Sequence, residues 1–302
     1  MHKKFMKPVL FISILFSTAA FAKGENHAAA QQEVQPQVQA AKKKAIDKKQ
    51  QEAVKEALDA VLATRSALES LEAGENKQAL AHLEIANGKL ALLLARYPEL
   101  GLIPIDSEAI VIDFTGDLEA IEETVEEAED LLDDGKVQDA RALLSPLASE
   151  IRFTTTNLPL AIYPDVMKKV APLIDAGKIK QAKETLMEAL STLVITESVI
   201  PLPLLRAEAM VRKASDLVHE KNPKMDEILR ILENSKYQLQ VAQALGYGDI
   251  KKDYKPLYQQ IEQLEKKVKA RSWGEAMNQA VEKFQRALGA LRARVAEQKK
   301  VN

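Results

Sequence analysis

The chain has 302 residues, a formal net charge of −2, 46% hydrophobic residues and no cysteine. The lack of cysteine excludes disulfides, thiolate nucleophiles and Cys-ligated metals. The near-balanced charge and the aromatic content of 5% argue against a nucleic-acid partner, which would need a basic surface.

The N-terminal segment has the pattern of a secretory signal peptide. Three lysines precede the apolar run 9–16, and Ala20-Phe21-Ala22 is spaced like a signal-peptidase site. The apolar run is well short of the roughly 20 residues that a membrane-spanning helix needs. We therefore expect residues 1–22 to be a signal peptide cleaved after Ala22, and the mature protein to be periplasmic without a membrane span. The alternative is a retained N-terminal anchor.

Residues 23–49 are polar and show no sustained apolar face. Such a segment cannot bury enough apolar surface to offset the entropy lost on ordering, so we interpret it as a flexible polar tether. Its lysine clusters at 42–44 and 48–49 leave open a contact with anionic lipid, although a solvated basic stretch is the simpler explanation.

From residue 50 onward the apolar period is helical, and one pattern occurs three times. A helix ends at Gly74, Gly135 or Gly177; an alanine follows five residues later and a leucine nine residues later. Glycine terminates a helix by adopting the left-handed conformation. The alanine and leucine share a helix face at i, i+4 spacing. Each copy therefore predicts an antiparallel helical hairpin, and three such units can stack into a repeat-like bundle.

Each copy is followed by an apolar segment centred on a proline, Pro104, Pro159 or Pro201. Proline prevents helix continuation and favours an extended residue before it. We expect these segments to be buried structural junctions, because a solvated linker would not keep large apolar residues on both sides of each proline.

Three short runs are β-branched or alternate in polarity: 109–114, 151–156 and 193–196. They predict short strands, which would form a minor β element at one end of the bundle. A helix end is almost as good an interpretation of the last two.

The C-terminal third continues as helices. The segments 205–220 and 225–245 predict a fourth hairpin, and 253–271 and 273–295 predict two amphipathic helices. We divide the mature chain into a hairpin-repeat domain, 50–221, and a C-terminal helical extension, 222–302, packed on the same domain. The predicted fold is mainly α, built from consecutive antiparallel hairpins.

No catalytic or metal motif is present. The three histidines beyond the signal segment, His27, His82 and His219, have no partner at metal-ligand spacing. The acidic segment 117–134 lies along a helix, so its carboxylates cannot wrap a calcium ion. They are expected to form a solvated face, with a pH-responsive surface as the alternative. We expect no catalytic residue, metal or cofactor.

The best candidate for a ligand-binding cleft is the polar run before Pro159. It consists of Arg152, Thr154, Thr155, Thr156 and Asn157, with Phe153 inside the run and Leu158 directly after it. These side chains could line a cleft between the second and third hairpins. Thr and Asn are also ordinary partners for unpaired backbone groups, and this structural role is the favoured interpretation.

The order of AIVIDF, DGKVQDARALL, GKIKQAKETL and IPLPLLRAEA resembles the YfdX family of exported, stress-associated bacterial proteins. The resemblance covers about residues 53–209 and rests on turns and packing positions. It implies a helical periplasmic protein linked to acid and drug stress, with no established enzymatic reaction and no catalytic residues to transfer. The segment 222–302 departs from the short family members.

Taken with this resemblance, the sequence predicts a non-enzymatic periplasmic protein that binds a partner protein or small amphiphilic molecules. A homo-oligomer is compatible with this prediction. Two other classes stay open. One is a structural or scaffold protein that self-associates through its C-terminal helices. The other is an enzyme whose site has no recognisable local motif.

Overall fold

The computed structural model describes residues 18–272, 274–296 and 299–300. Most of the predicted signal peptide therefore lies outside the described residues. The helices of the described part are α1 (Thr18–Gln51), α2 (Lys55–Glu72), α3 (Asn76–Arg96), α4 (Leu118–Asp133), α5 (Val137–Leu144), α6 (Tyr163–Met167), α7 (Val170–Asp175), α8 (Ile179–Ser191), α9 (Leu202–Val218), α10 (Met225–Ala244), α11 (Lys255–Lys269) and α12 (Glu275–Val295). The strands are β1 (Leu102–Ile112), β2 (Glu150–Pro159), β3 (Val194–Pro201) and β4 (Lys299–Lys300). The predicted mainly α fold with a minor strand element is confirmed.

The three predicted hairpins are present. Hairpin one is α2–α3, hairpin two is α4–α5 and hairpin three is α7–α8, and each turns at the predicted glycine. The φ angles of Gly74, Gly135 and Gly177 are +79°, +75° and +70°, which is the left-handed region that glycine adopts without penalty. The fourth predicted hairpin is α9–α10.

The flexible tether predicted for 23–49 is wrong, because this segment belongs to helix α1. Ala30, Val34 and Val38 are 1%, 0% and 0% exposed and recur every four residues, so they form one narrow buried face. That face packs into the same core as α9 and α10. The same helix is also tied to α9 and α10 by the ion pairs of Glu33 with Lys213 and Arg230.

The strands form one antiparallel sheet in the order β1-β2-β3-β4. In the register, Leu102 of β1 lies opposite Pro159, and Glu150 of β2 lies opposite Pro201. The strands are longer than predicted because the proline junctions join the sheet instead of linking helices. β1 has a register shift between Pro104 and Asp106, which accommodates the residue that cannot donate to the ladder.

The junction leucines are buried as expected. Leu158 and Leu160 are 0% and 5% exposed, and both belong to the core that hairpins one and three share. Leu202 is 0% exposed and packs with Ile151 and Phe153 under the C-terminal part of α1. The prolines thus place their flanking residues where the sheet meets the helices.

A second, larger core contains α1 and α9–α12. The apolar stripes predicted on the last two helices both point into it: Leu257 and Ile261 of α11 and Phe284 of α12 are each 0% exposed. The sheet therefore lies between two helical groups, one made by hairpins one and three and the other by α1 with the C-terminal helices. Within the described residues, no helix is both long and apolar enough to span a bilayer.

Candidate functional site

A cleft of about 680 Å³ opens where the sheet meets the C-terminal helices. β2 and β3 form one wall, and the turn after α10 with the end of α12 forms the other. We call it the sheet–helix cleft. Its lining residues are Glu150, Arg152, Glu197, Ser198, Val199, Leu245, Gly246, Tyr247, Gly248, Asp249, Asp253, Arg294 and Val295.

On the sheet wall, Glu150 is only 5% exposed, and its carboxylate accepts hydrogen bonds from two side chains. Arg152 donates from Nε to Glu150 Oε1 at 2.9 Å, and the Tyr247 hydroxyl donates to Glu150 Oε2 at 2.9 Å. The Tyr247 oxygen in turn accepts from the Ser149 backbone N–H at 3.0 Å. These bonds compensate for burying the carboxylate and tie the β2 strand to the turn after α10.

Burial raises the pKa of the Tyr247 phenol well above its ordinary value, and the neighbouring Glu150 charge acts in the same direction. The phenol therefore keeps its proton at neutral pH and acts as a hydrogen-bond donor. It is positioned to orient the carboxylate, not to accept a proton.

On the helix wall, Asp253 is the corresponding buried carboxylate. The residue is 5% exposed, and its carboxylate pairs with Arg294 and accepts from the Asp249 backbone N–H at 2.9 Å. Gly248 has a φ of +92°, and a Cβ there would lie 2.5 Å from Leu291 Cδ1 and 3.0 Å from Asp253 Oδ2. Only glycine lets the turn approach this closely.

Asp249 starts the π-helical turn Ile250–Tyr254 that carries Asp253. Its Oδ1 accepts from the backbone N–H groups of Lys252 and Lys251, both at 2.9 Å. These backbone hydrogen bonds hold the pKa of the Asp249 carboxyl below its usual value. The turn is thus capped by a group on the cleft lining.

The structure divides the candidate cleft residues between the two faces of β2, because side chains alternate along a strand. Arg152 lines the sheet–helix cleft. Thr154 and Thr156 follow Arg152 on the same face of β2 and are partly exposed, but they do not line the sheet–helix cleft. Thr155 and Asn157 lie on the opposite face and are buried. Of the five candidate residues, Arg152 alone lines the sheet–helix cleft.

Thr155 and Asn157 belong to a buried polar cluster that joins three strands. The Asn157 Nδ2 donates to Thr196 Oγ1 at 3.0 Å and to the backbone carbonyls of Thr155 and Val194 at 3.1 Å each. Thr155 Oγ1 lies 3.2 Å from Ser107 Oγ on β1. All these partners are internal, which supports the structural interpretation for these two residues.

Sequence reasoning missed most of the cleft. Glu150, Tyr247, Asp253 and Arg294 carry no local sequence signal. Tyr247 lies 97 residues from Glu150 along the chain, so no local motif brings them together. Asp253 and Arg294 are 41 residues apart.

The histidines are dispersed. His27 stacks on Tyr237 with ring centroids 3.7 Å apart, and its Nδ1 lies 2.6 Å from Asn234 Oδ1. His219 Nδ1 lies 2.7 Å from the Ser215 carbonyl. Within the described residues, no group of three or more His, Asp or Glu side chains is arranged to hold a metal ion.

Comparison with known proteins supports the resemblance found in the sequence. The family model described as YfdX protein matches residues 60–199. The resemblance to the YfdX family is confirmed. A crystal structure of Salmonella Typhi YfdX is 17% identical, with a TM-score of 0.35, and the match covers 50% of this chain and 93% of that one. A search of curated proteins finds no match to the chain.

The YfdX-matching segment supplies only one wall of the cleft. Glu150, Arg152 and the β3 residues up to Val199 lie within residues 60–199. Tyr247, Asp253 and Arg294 lie beyond it. The sheet–helix cleft is therefore built jointly by the YfdX-like segment and the C-terminal helices.

Proposed function

We propose that this chain is an exported, non-enzymatic binding protein that holds a small amphiphilic molecule in the sheet–helix cleft. The observation that carries the proposal is the mixed lining of the cleft. Val199, Leu245 and Val295 give it an apolar part, while the charged groups of both walls are fixed by hydrogen bonds. Clefts of this size with apolar walls and a few oriented polar groups are typical of ligand sites.

The arrangement of the polar groups favours binding over catalysis. Glu150 accepts from Arg152 and Tyr247, and Asp253 pairs with Arg294. A general base needs a carboxylate or phenolate poised to take a proton, whereas these carboxylates are occupied by donors and the phenol stays protonated. Preorganised groups of this kind suit recognition of a polar head group.

Export and a role in stress are part of the same proposal. The basic and apolar residues that begin the sequence have the pattern of a signal peptide. The resemblance to the YfdX family supports the proposed periplasmic location and the proposed role in stress. Self-association through the C-terminal helices has less support, because the apolar stripes of α11 and α12 are used in the core of their own chain.

Replacing Val199 by glutamine is expected to weaken binding of a dodecyl amphiphile about tenfold, the factor that a loss of about 1.4 kcal/mol of binding energy produces. The physical reason is that the bound alkyl chain would cover the glutamine amide. The amide would then lose its hydrogen bonds to water without gaining a new partner. Isothermal titration calorimetry with dodecyltrimethylammonium and dodecylphosphocholine, both below their micelle concentrations, measures the affinity and identifies the preferred head group.

Ile195→Gln is the matched control. Ile195 lies on the same strand and sheet face, is 45% exposed and is outside the cleft lining. We expect one site per chain, weakened by Val199→Gln and unchanged by Ile195→Gln. Absence of saturable binding for either amphiphile, or equal effects of the two variants, would contradict the proposal.

A further inference from the structure

The three hairpins share one sequence pattern, but hairpin two is packed differently at an equivalent position. Leu132 precedes the turn glycine by three residues, as Leu71 and Ile174 do in hairpins one and three. Leu71 and Ile174 are 3% and 6% exposed, whereas Leu132 is 47% exposed. The same repeat position is therefore buried twice and open once.

The position nine residues after the glycine repeats this difference. Leu83 and Leu186 are 1% and 0% exposed, whereas Leu144 of hairpin two is 38% exposed. The alanine between the helices does not differ, since Ala140 is 1% exposed. Hairpin two is therefore closed internally like the others, and its outward face has no packing partner among the residues that the structure describes.

The reason lies in how the hairpins stack. Hairpins one and three contact each other through α2 and α8 and through α3 and α7, and their leucines share one core. Within the described residues, that core includes no residue of hairpin two. Hairpin two contacts the remaining helices through α4, which packs against α10.

We define the open face of hairpin two by Val125, Leu132, Val137 and Leu144. On α4, Val125 and Leu132 are seven residues apart and so lie on one side of the helix. Val137 and Leu144 repeat that spacing on α5, and Val137 is 50% exposed. The face continues into a groove of about 620 Å³ between α4 and α10, which Leu118, Ile121 and Val125 line.

The flank of this face is acidic. Glu122, Glu126 and Glu129 line the same groove, and α4 carries eight carboxylates in 16 residues. Among the described residues, no lysine, arginine or histidine forms an ion pair with these eight. The sequence itself has no lysine or arginine from Tyr97 to Gly135.

We propose that the open face of hairpin two binds an amphipathic basic helix of another protein. Its two leucines stand at the positions that are buried between hairpins one and three, so their natural occupant is helical. The acidic flank selects an occupant with lysine or arginine beside its apolar stripe. A second copy of the chain fits less well, because it would bring two acidic α4 helices together.

This inference does not depend on the sheet–helix cleft. The cleft variant Val199→Gln leaves hairpin two unchanged, and variants of hairpin two leave the cleft lining unchanged. The two proposals can therefore fail separately.

The test uses the purified protein and a designed peptide of roughly 18 residues, long enough for about five helical turns, with leucine and lysine at helical spacing. A leucine–glutamate peptide of the same pattern and a shuffled leucine–lysine peptide are the comparisons. Fluorescence anisotropy at two salt concentrations measures affinity for the parent protein and for Leu132→Gln/Leu144→Gln. Met187→Gln, at a 49% exposed apolar position of hairpin three, is the matched control.

We expect saturable binding of the leucine–lysine helix, at least about tenfold weaker in Leu132→Gln/Leu144→Gln and unchanged in Met187→Gln. Salt should weaken it, because the acidic flank contributes through exposed charges. Equal affinity for the shuffled or the acidic peptide, or equal affinity of the double variant, would overturn the proposal. So would a dimer of the parent protein in sedimentation that the double variant abolishes, since a second copy would then occupy the face.

Discussion

Replacing Leu202 by alanine is expected to lower the free energy of unfolding by about 2–5 kcal/mol, the range for truncating a buried leucine. Leu202 is 0% exposed and packs with Ile151, Phe153 and Leu205. Its backbone N–H also donates to the Ser149 carbonyl at 2.8 Å, so the site is fixed and cannot easily close the cavity. Urea denaturation followed by circular dichroism measures the change.

Leu160→Ala should show a loss in the same range, because Leu160 is 5% exposed in the core of hairpins one and three. Leu100→Ala, at a position that is 46% exposed, is the control and should change stability by less than about 0.5 kcal/mol. If the two junction variants unfold like the parent protein, the proline junctions are not the structural elements described above.

Asn157→Ala belongs to the same series. Asn157 donates to the carbonyls of Thr155 and Val194, so the substitution leaves two backbone acceptors without this donor. Leaving buried polar groups unpaired costs about 1–3 kcal/mol, which places Asn157→Ala close to the leucine variants.

The second large effect is expected for Val38→Asp in α1. Val38 is 0% exposed in the core that α1 shares with α9–α12. An unpaired carboxylate there costs several kcal/mol, so either the protein is destabilised by that amount or α1 detaches. Urea denaturation detects the first outcome, and trypsin cleavage at the lysines of 42–49 detects the second.

Gln39→Asp introduces the same charge at an exposed position of the same helix and should leave both stability and trypsin resistance unchanged. Equal behaviour of Val38→Asp and Gln39→Asp would mean that this segment is a solvated tether after all.

The hairpins and strands were predictable because their signals are local. A glycine at the turn, an alanine five residues later and a β-branched run each determine structure within a few residues. The packing of α1 was not predictable in the same way. Its buried face includes Ala30, Val34 and Val38 among polar residues, and Pro36 lies inside the helix. The polar composition and the proline therefore gave no indication of a buried helix.

The cleft could not be predicted from the sequence because its chemistry is assembled over long range. Only Arg152 among the candidate residues reaches it, since strand alternation turns Thr155 and Asn157 to the other face. The repeat pattern predicted three equivalent hairpins. It contained no information on which two hairpins would share a core. Hairpins one and three share one, and hairpin two, which is not part of it, keeps an open face.

The most direct measurement is thiol reactivity, which the absence of cysteine makes unambiguous. Leu71→Cys, Leu132→Cys and Ile174→Cys place one thiol at the same position of each hairpin, and circular dichroism verifies that each variant is folded. We expect the thiol at position 132 to react with an aromatic disulfide reagent at least about a hundredfold faster than the other two, because a buried thiol reacts only after local opening. Equal protection at all three positions would contradict the central claim that hairpin two presents an open face.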